Sequence, residues 1–390
     1  MKIRGTSSSN WLLLVLLNSL LIQGATYVVR PMVTYRLVSL GADASLVGLI
    51  GALYALAPLV LAIQIGRWVD RGRDGTALFA GSVLATVASV FILNSQDVFF
   101  LAISMPLLGL GHLLTMVGGQ TLIAKRSVDS AYERNFGLLT FYASFGQAIG
   151  PFIGGYLADR GVEVDTAIPI SFAIGIFVIA VFAALPLIRR SAYEGDSGAP
   201  NFETGALRSL FATPKFKAAL FVSGSITAVV DVVTIFTPLL GQELGFGAFQ
   251  IGILLGVRSL AAMAIRLTLG PANAKLGPRR LINLGSLVTL LSCLAIAFVQ
   301  DYWLLVCVMV IAGLAMAIGQ PASMAWISRI TSPERRGLAI SVRLTSNRFG
   351  QVVVPMAAGL IALGGVGPVF LMLAALQAAS IAVTSRSLDK

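Results

Sequence analysis

Of the 390 residues, 57% are hydrophobic and 12% charged, with a mean hydropathy of +0.88, and no water-soluble fold of this length has an interior large enough to hide so much apolar surface. The composition excludes a large soluble domain and leaves an all-α polytopic membrane protein, with room for about twelve helices of roughly 20 residues. The formal charge of +11 raises the question of a nucleic-acid partner, which the placement of the charges answers below.

The first apolar segment, residues 10–34, is too long for a signal-peptide core and has no small-residue cleavage site after it, so it reads as a first spanning helix. Gln23, Tyr27, Arg30 and Thr34 follow one another there at spacings of four, three and four, a single polar stripe. Polar side chains are costly in lipid, so such a stripe faces a cavity or a partner. Arg30 sits toward the outer interface, where a long side chain snorkels. After the second segment, 45–65, the chain reads Gly66-Arg67-Trp68-Val69-Asp70-Arg71-Gly72-Arg73. Gly66 there lets helices approach, and Asp70 at a helix end suits a neighbouring helix N-terminus and an arginine, Arg126 or Arg134. The competing reading is that these charges only mark the cytoplasmic side. Segments 76–93 and 98–122 come next, the latter with Thr115 and the lone histidine, His112, which serves either a proton path or hydrogen-bonded packing.

The fifth segment, 136–157, contains GLLTFYASFGQAIGPFIGG from Gly137 to Gly155. Each glycine costs about 1 kcal/mol and the proline about 3 kcal/mol in an ordinary helix interior, so the stretch must gain something in return. Gly146, Gly150 and Gly154 repeat at i, i+4, i+8 and make a bare stripe for a neighbouring backbone, with Pro151 inviting a bend. The spacing through Gly155 resembles the fifth-helix antiporter motif of the drug and proton exporters of the major facilitator superfamily. The loop from Gly66 to Arg73 is similar to the superfamily's cytoplasmic signature GxxxDRxGRR, with Asp74 where a basic residue is usual. The resemblance implies twelve transmembrane helices in two pseudo-symmetric six-helix bundles, alternating access, a monomer, a latch at Asp70 and Arg71, and helices 1, 4, 7 and 10 around a central cavity. The chain departs from those exporters at Met105, where an arginine is usual, and in the first helix, where Tyr27 and Arg30 stand in place of an acid.

A sixth segment, 166–187, precedes a hydrophilic break at 188–217, and six more follow at 216–240, 249–269, 281–299, 302–327, 338–363 and 366–384. The organisation is a first bundle at 1–187, a linker at 188–214 and a second bundle at 215–390. A shift of 204 residues lays LGADASLVGLIGALYAL, from Leu40, over LGFGAFQIGILLGVRSL, from Leu244, and brings Gly146, Pro151 and Gly155 onto Gly350, Pro355 and Gly359. Two parallel repeats are the logic of carriers with a site between the halves. Of the 28 Lys and Arg, 21 fall at the termini, in the even-numbered loops or in the linker, against two, Arg36 and Arg160, in the odd-numbered loops. Both termini are therefore expected in the cytoplasm, and membrane topology accounts for the charge without nucleic acid. The localisation expected is the bacterial cytoplasmic membrane.

The same shift carries the first stripe onto Thr227, Asp231, Thr234 and Pro238 in the seventh segment. Asp231 is the one acid read within a span, and five arginines accompany it. Arg258 and Arg348 lie near mid-helix and cannot easily snorkel, whereas Arg266 and Arg343 lie nearer the cytoplasm and can. Asp231 is either paired permanently with Arg258 or Arg348, or is a carboxylate whose protonation drives transport, with His112 as a second candidate for proton coupling. Gln320 and Ser323 add polar groups to the tenth span; the candidates to bind the solute are Arg258, Arg348 and Asn347, with Gln23, Tyr27 and Arg30 of the first stripe, unless Asn347 and Arg348 only brace their helix. Tyr54, Tyr142, Phe145 and Trp326 are candidates for an apolar wall. Excess positive charge suits an anionic or zwitterionic solute. No GxxxxGK[ST], HExxH or GxSxG is present, so an enzyme is not expected. Cys293 and Cys307 make no disulfide framework or metal site, and no cofactor is implied. Proton-coupled efflux leads, and proton-coupled uptake of an organic anion and lipid or lysolipid flipping are the alternatives.

Overall fold

The computed structural model describes residues 10–159, 164–188, 204–266, 269–332 and 335–388, so Arg160 and most of the 188–214 linker lie outside the described residues. A first group of helices comprises α1 (Asn10–Ser39), α2 (Ala44–Asp70), α3 (Asp74–Asn94), α4 (Val98–Arg126), α5 (Tyr132–Ala158) and α6 (Ala167–Ala184). The short α7 (Thr204–Phe211) leads to a second group: α8 (Pro214–Glu243), α9 (Ala248–Arg266), α10 (Leu269–Phe298), α11 (Tyr302–Ile330), α12 (Arg336–Ile361) and α13 (Gly367–Leu388). Among the described residues 11 helices are long and apolar enough to cross a membrane. The twelfth long helix, α12, falls short because Arg343, Asn347, Arg348 and Gln351 interrupt it. α10 is two helices joined at Gly277, whose φ of 73° a side chain would strain.

The 204-residue repeat is visible in the turns that end and start the spans. Gly41 and Gly245 both take φ 77° just beyond α1 and α8, the left-handed stop that glycine permits. Asp97 and Asp301 cap α4 and α11, each accepting a hydrogen bond from the backbone N–H three residues on, at 3.0 and 2.8 Å. Because each short connection reverses the chain, α1, α3, α5, α8, α10 and α12 start at one end of the molecule, the linker end, and α2, α4, α6, α9, α11 and α13 start at the far end.

Burial shows how the two groups meet. At the far end one apolar cluster draws Val28, Val47 and Ile50 from the first bundle and Val232, Ile235 and Ile251 from the second. Toward the linker end the core divides, with Val15, Leu78 and Leu122 in one cluster and Phe216, Ile282 and Trp326 in another. The bundles are joined at the far end and part toward the linker end.

Two crossings make the junction, α2 on α12 and α5 on α9. A Cβ at Gly48 would lie 2.5 Å from the Pro355 carbonyl oxygen and 2.7 Å from the Gly359 Cα, and one at Gly252 would strike the Pro151 carbonyl and lie 3.1 Å from the Gly155 Cα. These are the same contact built twice, 204 residues apart. The fifth-helix stretch thus faces two ways. Gly146, Gly150 and Gly154 lie against α1, where a Cβ at Gly150 would come within 2.5 Å of the Gly24 carbonyl oxygen, while Pro151 and Gly155 lie against α9. Gly66 corrects the sequence reading: a Cβ there would meet nothing within 4 Å. It is 18 residues, about 27 Å of helix, beyond the Gly48 crossing, where the bundles have separated.

Candidate functional site

The space between the parted bundles is a cavity of about 260 Å³. It shares Met116, Ser144, Gln147, Arg266 and Gln320 with a second chamber of about 230 Å³ that reaches Val15 and Ser19 near the start of α1. The volume suits a small organic molecule, and the opening runs to the linker end.

Arg30 and Asp231 meet at its closed end. Arg30 Nη1 donates to Asp231 Oδ1 at 2.9 Å, with both side chains buried. The pair joins α1 to α8, hence one bundle to the other, and a turn further Thr34 donates to the Ile235 carbonyl at 3.2 Å. This corrects two readings. Arg30 does not snorkel, and the partner of Asp231 is neither Arg258 nor Arg348. Packed bundles bring an interior carboxylate within 2.9 Å of Arg30, and a buried charge without a partner is costly. The Arg30 guanidinium also lies 4.4 Å over the Tyr54 ring, a cation–π contact, and Tyr54 Oη is hydrogen-bonded to His112 Nδ1 at 2.5 Å. His112 faces the cavity, and its Nε2 has no partner among the described residues.

The remaining arginines also turn inward. Arg258 Nη2 lies 3.4 Å from the Thr234 and Ser259 hydroxyls. Arg348 Nη1 donates to Gln351 Oε1 at 2.9 Å. Arg266 and Arg343 lie, like Arg30, at depths that permit snorkelling, yet both turn to polar partners inside the protein. Arg266 reaches across from α9 to donate to Ser144 on α5 at 2.5 Å. Arg343 donates to the Gln320 carbonyl at 3.0 Å and to Ser323 at 3.2 Å, inside the second bundle. In each case a polar partner stands within hydrogen-bonding reach.

Tyr27, Asp231, Arg258, Asn347 and Arg348 line the cavity together. Gln23 lines the second chamber, where its Oε1 accepts from Gln147 Nε2 at 3.1 Å. Asn347 Oδ1 accepts from Ser223 at 2.8 Å. Trp326 is buried in the second bundle's own core and Phe145 is exposed, so neither forms a cavity wall. Ser144, Gln147 and Arg266 are among the lining residues that the sequence pattern does not single out as such, with Ser19, Gln120, Thr140 and Ser259. The glycine pattern around the first two was legible as packing and masked their polar face.

At the linker end Asp70 and Arg71 are exposed. Lys125, rather than an arginine, approaches this loop: its Nζ donates to the Asp70 carbonyl at 3.0 Å and lies 3.6 Å from Asp74 Oδ2. Asp74 is the buried acid of the segment, held also by the Gly75 N–H at 2.8 Å. Arg126 lies 6.0 Å over the Trp11 ring and Arg134 is exposed, which corrects the pairing of either with Asp70 in this arrangement.

Comparison with known proteins agrees with this architecture. The sequence profile of the Major Facilitator Superfamily matches residues 15–271 and 219–388. Multidrug resistance protein 1 of Bacillus subtilis (strain 168) is 23% identical over 316 residues, covering 81% of this chain and 80% of that protein. The quinolone resistance protein NorA of Staphylococcus aureus (strain COL) is 23% identical over 336 residues, 85% and 84% of the two chains. Among solved structures, the nucleoside transporter NupG superposes with a TM-score of 0.83 at 13% identity, covering 98% of this chain and 100% of that one. A bacterial homologue of the human lysosomal transporter Spinster, inward-facing and unoccupied, gives 0.77 at 16% identity over 99% and 96%.

Proposed function

The chain belongs to the major facilitator superfamily, and from that membership we propose that it exports a small organic anion or zwitterion in exchange for protons. The observation that carries the reading is the Arg30–Asp231 pair, a buried ion pair that crosses from bundle to bundle at the closed end of the cavity. A proton on Asp231 discharges the carboxylate and leaves Arg30 buried without a counter-charge, which weakens the join between the bundles. Proton binding and the closure of the far end are then one event, and alternating access needs such a link between ion and gate.

The basic residues at the linker end, Arg67, Arg71, Arg73, Lys125, Arg126 and Arg134 among them, support placing that end in the cytoplasm. The cavity in this arrangement then opens inward, and the termini lie on the same side. Beyond the Arg30–Asp231 pair, the lining contributes Arg258, Arg266 and Arg348, so a solute carrying negative charge gains charge-assisted hydrogen bonds that a cation lacks. The chain is placed in a bacterial cytoplasmic membrane as one copy, a reading supported by a cavity whose lining comes from both bundles of a single chain.

The test is proton flux in proteoliposomes under an imposed pH gradient, with anionic and cationic solutes added in turn. Wild type is expected to move protons on addition of an anion, and Asp231→Asn to lose that flux. Equal flux in the two proteins would reduce Asp231 to a structural partner of Arg30. Flux evoked by cations alone would refute the anionic reading.

A further inference from the structure

We infer that Arg258 is the seat of a carboxylate of the solute, at a place related by the internal repeat to the one where Arg30 holds Asp231. The inference rests on the anionic reading of the cavity and adds the group recognised and the residue that recognises it.

The 204-residue offset pairs Tyr27 with Asp231, Arg30 with Thr234 and Tyr54 with Arg258. The last equivalence holds in three dimensions. A Cβ at Gly109 would strike the Tyr54 carbonyl oxygen, and a Cβ at Gly313, its repeat partner, would strike the Arg258 carbonyl oxygen. Residues 54 and 258 therefore leave equivalent backbone points. In the first bundle the side chain at 54 meets position 30, with the Arg30 guanidinium 4.4 Å over the Tyr54 ring. In the second, the side chain at 258 meets position 234, with Arg258 Nη2 3.4 Å from Thr234 Oγ1. Each bundle thus sets one guanidinium between the same two positions, carried by α1 in one case and by α9 in the other.

The counter-ion is what differs. Arg30 receives Asp231 from across the interface, and the residue that corresponds to Asp231 is Tyr27, which has no carboxylate. Arg258 is only 4% exposed, its contacts to Thr234 and Ser259 are both long at 3.4 Å, and among the described residues no carboxylate pairs with it as Asp231 pairs with Arg30; both guanidiniums leave Nε without a partner there. It lines the cavity beside Tyr27 and Arg348. A buried guanidinium in this condition is costly until a ligand completes it, and its planar fork matches a carboxylate. At the related place the chain supplies that carboxylate itself.

The experiment is a titration of the full chain in lipid nanodiscs with 4-fluorobenzoate, followed by fluorine NMR, with 4-fluorobenzamide as the neutral isostere. Wild type is expected to bind the carboxylate at one site and the amide about ten-fold more weakly or worse, as a charged hydrogen-bonding pair allows. Arg258→Gln is expected to weaken the carboxylate about ten-fold, and Arg258→Lys, which keeps a cation in the same space, by several-fold with the preference over the amide retained. Asp231→Ala frees Arg30 and is expected to add a second carboxylate site. Absence of carboxylate binding to wild type, equal binding of the amide, unchanged affinity in both Arg258 variants, or no second site in Asp231→Ala would overturn the inference. The titration needs no gradient, so it separates the two readings. Carboxylate binding lost with Arg258 but unaccompanied by proton-linked flux would refute export and leave the site standing.

Discussion

Arg30 makes two unlike contacts with one planar group: a carboxylate oxygen at 2.9 Å and an aromatic ring beneath it at 4.4 Å. The ring is itself fixed by His112, so Tyr54 is a positioning residue for the ion pair. Tyr54→Phe keeps the ring and loses one hydrogen bond, a cost of about 1 kcal/mol. Tyr54→Leu loses the cation–π contact as well and is expected to cost about 1–2 kcal/mol more, with the excess vanishing in an Arg30→Met background. Thermal unfolding of the four proteins checks this, and an excess that persists without Arg30 would show that the ring only fills space. The pair itself is expected to matter more to coupling than to stability. Asp231→Leu alone strands Arg30 and costs about 3–5 kcal/mol, whereas Arg30→Met with Asp231→Leu approaches wild-type stability while proton-linked flux stays absent.

Helix crossings decide which glycines matter. Gly48 and Gly66 sit on one helix, α2, and sequence alone gives no reason to rank them. The crossing does, since a Cβ at Gly48 meets α12 backbone that cannot yield, and a Cβ at Gly66 meets open space. Gly48→Ala is expected to pry the far end open or to destabilise the fold by about 1–3 kcal/mol. Gly66→Ala is expected to leave this arrangement unharmed or slightly stabilised, by up to about 1 kcal/mol of helix propensity. Accessibility of a cysteine at Ser45 to a membrane-impermeant thiol reagent reads the first effect, and thermal unfolding the second. Equal behaviour of the two variants would mean that the crossing does not hold the far end. The stripe of Gly146, Gly150 and Gly154 was legible because periodicity alone defines a helix face. The role of Pro151 and Gly155 on the neighbouring face was not, because it depends on where α9 lies. The same reason hid the partner of Asp231: depth along a helix says how far a side chain is from water, and nothing about which helix of the other bundle stands beside it.

For the whole molecule, the sequence held the duplicated architecture in plain view, since a 204-residue offset in glycines, prolines and polar stripes can only come from two like bundles. It could not say at which end they touch. Both repeats carry the same junction, Gly48 on Pro355 and Gly359, Gly252 on Pro151 and Gly155, and both copies fall at the far end, so the structure closes one end symmetrically while the linker end stays parted. A carrier must also visit the opposite arrangement, in which the far-end junction opens and the linker end closes. The exposed positions Arg71 and Arg329 flank the open end, and Ser39 and Leu363 the closed one. With the exposed Cys307 and the buried Cys293 replaced by serine and alanine, spin labels at each pair report the two gates. Lowering the pH is expected to populate a longer Ser39–Leu363 distance and a shorter Arg71–Arg329 distance together, because protonating Asp231 weakens a buried ion pair between the bundles near the junction. In Asp231→Asn the same redistribution is expected at neutral pH, without further response to acid. Movement of one pair without the other would mean that the gates are not linked through the bundles as rigid bodies. A full acid response in the mutant would place the proton on another group, with His112 the nearest titratable side chain behind Tyr54.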